Sequence, residues 1–182
     1  MENPHNEDHE ETYNRRLEKD FAEQLKRHVK KVSKDELRQR IIAFLQQEVI
    51  CSLATCSADM PRATVVRYRS HDLTVYIHSE GGGKIKNIRA NPNVSISICG
   101  PYSGFQSVKG LQAWGRAEII DPQKDREIYL KALAIINPAA REDLKNIGLQ
   151  RIPDMYIIKI DITRARYLDF PEGILNQVLT IS

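Results

Sequence analysis

Three cysteines, one tryptophan and no long apolar run leave this chain of 182 residues without the usual strong signals. Cys51 and Cys56 lie five positions apart and Cys99 is distant, so neither a disulfide framework nor a C-x-x-C metal or redox motif is present. Reduced thiols and a cytoplasmic setting follow as expectations. No stretch approaches the roughly 20 apolar residues of a membrane helix. Met1 to Asp8 have neither the basic start nor the apolar centre of a secretory signal. A net charge of +3 is too small to imply a nucleic-acid partner. His5 and His9 sit in an acidic tail with no partner cluster, so no metal is expected. No Ser-His-Asp arrangement or carboxylate pair stands out, which leaves general acid–base chemistry without a named actor.

What is present is a change of period along the chain. Residues 1–32 read as an acidic, disordered tail (1–11) followed by an amphipathic helix, with Leu17, Phe21 and Leu25 at four-residue steps. Residues 33–182 read as one domain of ordinary apolar content. Ser33-Lys34-Asp35-Glu36 has the Ser-x-x-Glu form of a capping box, opening a helix that carries Leu37, Ile41, Ile42, Phe44 and Leu45 inward and ends near Gln47. From Ile50 the period becomes two. Strands are expected at 50–56, 62–68, 73–78, 93–99, 108–120 and 155–168, with short helices at 85–91 and 123–136 and a long loop at 137–153. Val94, Ile96 and Ile98 share one face of the fourth strand; Leu111, Ala113 and Gly115 share one face of the fifth, opposite Gln112 and Trp114. Antiparallel strands joined by short turns argue a mainly β (α+β) fold: a small split β-barrel of about six strands with peripheral helices. Cys99, with no basic neighbour in sequence, is expected to be a buried structural thiol.

The segment richest in chemistry is His78-Ser79-Glu80-Gly81-Gly82-Gly83-Lys84-Ile85-Lys86. It follows a strand and runs into a helix. Consecutive glycines let backbone N–H groups converge, and Lys84 and Lys86 add positive charge beside a helix N-terminus, an arrangement suited to phosphate. It is not a P-loop, because Ile85 follows Lys84 where Ser or Thr must hold magnesium. Nor is it a dinucleotide fingerprint: Gly81 to Gly83 are consecutive, and Pro92 ends the helix after about two turns.

The order of parts resembles the pyridoxamine 5′-phosphate oxidase-like FMN-binding split-barrel family over roughly residues 35–170. Four pieces carry the likeness: the hairpin 52–66, the strand 73–79, the lysine–helix–Asn-Pro–strand run 84–96, and the strand 111–118 ending in Gly115-Arg116-Ala117-Glu118. The resemblance implies an oxidoreductase with FMN at a homodimer interface. It places the FMN phosphate on Arg62 and Lys84, and the flavin ring beside Ala63, Thr64, Val65 and Val66. His78 and Ser79 would lie near the ribityl chain or the phosphate, and the partner chain would supply residues of the fifth strand, with Gln112 and Trp114 as the candidates. A non-catalytic flavin or haem carrier or redox sensor is the alternative, as is a deazaflavin cofactor. Three departures separate the chain from the oxidases proper. Gly83 replaces a basic residue, Gly110 stands where a glutamine is expected, and Arg164 and Arg166 on the last strand are not part of a Trp-Arg clasp. The substrate is therefore unassigned.

Overall fold

A Ser33 hydroxyl accepting from the Glu36 N–H at 3.2 Å opens the first full helix, α1 (Lys34–Gln47). The reciprocal half of the capping box is not made, because the Glu36 carboxylate accepts from Arg40 Nε at 3.0 Å instead. The apolar stripe Leu37, Ile41, Phe44 and Leu45 is buried, and Ile42 packs at its margin. The structure is a computed structural model that describes residues 19, 23, 25, 27–124, 126–137 and 154–181. The expected acidic tail lies outside the described residues. So does most of the helix over 12–31, of which Lys19, Glu23, Leu25, Arg27 and His28 are helical. The long loop at 137–153 is described only at Asn137.

Beyond α1 the chain forms β1 (Ile50–Ser57), β2 (Met60–Arg67), β3 (Arg69–His71), β4 (Thr74–Ser79), α2 (Gly83–Ala90), β5 (Asn93–Cys99), β6 (Lys109–Ile120), α3 (Arg126–Ile136), β7 (Tyr156–Asp169) and β8 (Ile174–Thr180). All strand pairs are antiparallel, in one 8-stranded sheet of order β2-β1-β5-β6-β7-β4-β3, with β8 paired to β7. The sheet curls into a half-barrel. β7 is its keel: one edge follows β6 throughout, while the other pairs with β4 over Tyr156–Asp161 and with β8 over Arg164–Asp169.

Two strands exceed the six expected. β3 is three polar residues paired to the start of β4, and such a short segment carries no readable period. β8 alternates imperfectly because Asn176 takes a positive φ of 52° in a hairpin whose register shifts between Tyr167 and Asp169. β6 does bend at a glycine. Its register slips between Trp114 and Gly115, and a β-carbon on Gly115 would collide with the Asp161 carbonyl.

The main core fills the concave side, with Leu53, Val75, Ile77, Ile96, Ile158 and Ile160 from the sheet closed by α1 and by Ile85 and Ile88 of α2. A smaller core under α3 joins Tyr129, Ala132 and Ile136 to Ile120 and Ile157. Consecutive Ile157 and Ile158 are both fully buried, so this part of β7 is covered on both faces. Cys99 departs from expectation: it is exposed, because it ends β5 on the convex side. No described helix is long and apolar enough to cross a membrane.

Candidate functional site

At the end of β4 the chain turns through Gly81 (φ 126°) and Gly82 (φ 84°), conformations that L side chains rarely adopt. Ser79, which is buried, accepts the Gly81 N–H at 3.2 Å and fixes the turn. Gly82 caps α2 without a side chain, so no side-chain oxygen occupies the first-turn N–H groups. A β-carbon built on Gly81 or Gly82 meets nothing within 4 Å, so this side of the turn is open. Lys84 Nζ donates to the Gly81 carbonyl at 3.2 Å and is half-buried, whereas Lys86 is exposed.

Arg62 reaches the same place from β2. Its register partner is Thr55, and Thr64 pairs with Leu53. Thr55 and Leu53 are buried, so Arg62 and Thr64 lie on the concave face. A β-carbon on Gly83 would sit 2.8 Å from Arg62 Cζ and 2.8 Å from Nε, so the guanidinium lies directly over the start of α2. Among the described residues Arg62 has no carboxylate partner. Three sources of positive potential thus converge: a guanidinium, an ammonium and an uncapped helix N-terminus. An open cleft of about 400 Å³ beside them is lined by Met60, Pro61, Arg62, Ala63 and Asn87. Asn87 donates to Thr55 Oγ1 at 3.2 Å, pinning α2 to β1. Asn87 and Thr55 were not anticipated; the signal for Asn87 is its place one helical turn beyond Gly83, on the same face.

The remaining expected residues divide between two faces. By strand alternation His78 lies on the face opposite Ser79. Ala63 and Val65 lie on the convex face, as do Gln112 and Trp114. The registers draw two rows across that face. One runs Val65, Ser52, Ser97, Gln112, Arg166, Val178; the next runs Ala63, Ala54, Ser95, Trp114, Arg164, Thr180. Small residues on β1 and β5 form a shallow floor between the two ends. β2 and β6 are three strand spacings apart, about 14 Å. Within one chain Gln112 and Trp114 therefore do not join the Arg62–Lys84 cluster. Trp114 is covered by the Arg164 guanidinium, 4.9 Å from the ring centroid. Val65 is 72% exposed and Met60 71%, an apolar edge left uncovered in the single chain.

Comparison with known proteins agrees with this architecture. The family model for pyridoxamine 5′-phosphate oxidase matches residues 37–169. No curated protein matches the chain. Among solved structures, a candidate pyridoxamine 5′-phosphate oxidase from Listeria innocua is similar at TM-score 0.56 and 24% identity, covering 73% of this chain and 98% of its own. An FAD-binding protein from Mesorhizobium loti is similar at TM-score 0.56 and 20% identity, covering 74% and 92%. HutZ, the haem storage protein from Vibrio cholerae, is similar at TM-score 0.54 and 19% identity, covering 69% and 89%. At these identities the three structures speak for the fold.

Proposed function

The chain belongs to the pyridoxamine 5′-phosphate oxidase family, and on that premise we propose that it is an FMN-binding oxidoreductase acting as a homodimer. The observation that carries the reading is the convergence of the Arg62 guanidinium on the uncapped start of α2, beside Lys84. A phosphate dianion is the group that uses all three: a planar fork of donors, a point charge and backbone N–H groups. One such cradle and no dinucleotide fingerprint favour FMN over FAD. It also favours a phosphate-bearing cofactor over haem.

The chain's other residues then take defined roles. Ser79 and the Lys84–Gly81 bond hold the turn open toward the phosphate. β2 is the sheet edge, so half of its backbone N–H and C=O groups have no strand partner. Those between Ala63 and Val65 are free to hydrogen-bond the polar rim of the ring system. A second copy covering the convex face would exclude water from the ring and bring its own Gln112 and Trp114 to it. Bound flavin supplies the electron chemistry; the protein positions and shields it.

Titration with FMN and with riboflavin, which has no phosphate, tests the reading. FMN should bind tighter by at least about 1.5–3 kcal/mol, the worth of a single charge-assisted contact, and Arg62→Ala should narrow that gap by about one such contact. Equal affinity for the two flavins in the unmodified protein would overturn the assignment.

A further inference from the structure

We infer that Asn87 accepts a hydrogen bond from a hydroxyl of the ligand, so that the cleft beside the cradle takes a phosphorylated polyol rather than a phosphate on an alkyl chain. The inference rests on the flavin reading above and deepens it, because the ribityl chain of FMN is such a polyol. Five residues line the cleft: Met60, Pro61, Arg62, Ala63 and Asn87. Pro61 and Ala63 have apolar side chains, the Met60 thioether is a weak acceptor, and Arg62 only donates. Asn87 is therefore the one lining side chain with a carbonyl oxygen.

The Asn87 amide is oriented from the side away from the cleft. Asn87 is half-buried, and its Nδ2 donates to Thr55 Oγ1 at 3.2 Å. Thr55 is buried on β1, which makes its hydroxyl a fixed post. An amide that gives its nitrogen to Thr55 holds its Oδ1 on the other arm of the fork, and no described residue donates to that oxygen. Asn87 also lies one turn of α2 beyond Gly83, on the same face and about 6 Å further along the axis. A chain leaving a phosphate at the helix start along that face passes Oδ1. A hydroxyl on the chain pairs with the amide oxygen, while Arg62 and the helix N–H groups donate to the phosphate. An alkyl chain in the same place would cover the oxygen and leave it unpaired, which costs free energy.

Three flavins separate the contributions. Lumiflavin carries the ring without the polyol, riboflavin adds the polyol, and FMN adds the phosphate. Each is titrated by fluorescence into flavin-free, full-length wild type, Asn87→Leu, Asn87→Ala and Thr55→Val, with melting temperatures to establish that each variant is folded. Riboflavin should bind wild type more tightly than lumiflavin. Both Asn87 variants should shrink that preference by about two- to tenfold, the range of one neutral hydrogen bond, with lumiflavin affinity held within about twofold. Thr55→Val breaks the same pin between α2 and β1 but keeps the amide, so it should retain most of the preference. If Thr55→Val removes the preference as fully as Asn87→Ala, Asn87 acts only through the pin and the inference falls. An unchanged preference in the folded Asn87 variants, or a wild type that binds lumiflavin as tightly as riboflavin, also overturns it. Equal binding of FMN and riboflavin, with the Asn87 effect intact, would count against the phosphate cradle alone. A wild type that binds none of the three flavins overturns both readings.

Discussion

Adding one methyl group at Gly83 separates stability from cofactor affinity. Gly83 is the first residue of α2, and its φ is not in the positive region, so alanine adopts the same backbone. Alanine is favoured over glycine in a helix interior by up to about 1 kcal/mol, so Gly83→Ala should melt at the same temperature as wild type or slightly higher. The new β-carbon, however, would stand 2.8 Å from Arg62 Cζ and 2.9 Å from Nη2. The mobile guanidinium must swing away, and with it goes one charge-assisted contact to the phosphate, about 1.5–3 kcal/mol. At 1.4 kcal/mol per factor of ten, FMN affinity falls between about tenfold and somewhat over a hundredfold. Thermal melts and flavin fluorescence titrations on four proteins close a double-mutant cycle: wild type, Gly83→Ala, Arg62→Ala and the double variant. If the methyl acts by displacing Arg62, it has no further effect once Arg62 is alanine. The reasoning fails if Gly83→Ala weakens FMN equally in both backgrounds, or binds as wild type does.

Lys84→Ala should weaken FMN by about 1.5–3 kcal/mol, while Lys86→Ala changes affinity little, since Lys84 is tied to the glycine turn and Lys86 is exposed; equal losses in parallel titrations would misplace the phosphate. Val65→Asp should leave the monomer's stability within about 0.5 kcal/mol, because Val65 is 72% exposed, yet it should weaken dimerisation and FMN binding together. Analytical ultracentrifugation with and without FMN reads this, and a wild type that holds FMN tightly as a monomer contradicts it. Burial pushes the Cys51 thiol up to about 12, so at pH 8 it stays protonated and unreactive. Iodoacetamide should therefore label Cys99 first, Cys56 more slowly and Cys51 only on unfolding. Peptide-resolved mass spectrometry that finds Cys51 labelled as fast as Cys99 would contradict the buried placement.

The local grammar of this chain is readable where one residue decides one feature. Ser33 caps α1, and Val94, Ile96 and Ile98 turn inward while Ser95 and Ser97 turn out. The meeting of Arg62 with the Gly-Lys turn was expected only from the family resemblance, since β2 and β4 are neighbours neither in the chain nor in the sheet. What could not be read depends on pairings between distant positions. Cys99 carries the right residue type for burial and is exposed only because β5 ends on the convex side. β3 is too short to show a period, and β8 hides its own behind Asn176. The rows that seat Arg166 opposite Gln112 and Arg164 opposite Trp114 follow from the β6–β7 register, whose strands lie some fifty residues apart in the chain. No local pattern encodes such a register, and a slip of one residue would have turned both arginines into the core.

The central claim is that the Arg62–Lys84 cradle holds the phosphate of FMN. Its most direct test is the chromophore itself: purify the protein, record its absorption spectrum, denature it, and identify the released cofactor by chromatography. Where the protein emerges without cofactor, it is loaded with equimolar FMN, FAD and haem together before the same analysis. The account predicts flavin bands and release of FMN, one per chain, with the amount falling in Arg62→Ala. A haem Soret band, release of FAD, or refusal of added FMN would contradict it.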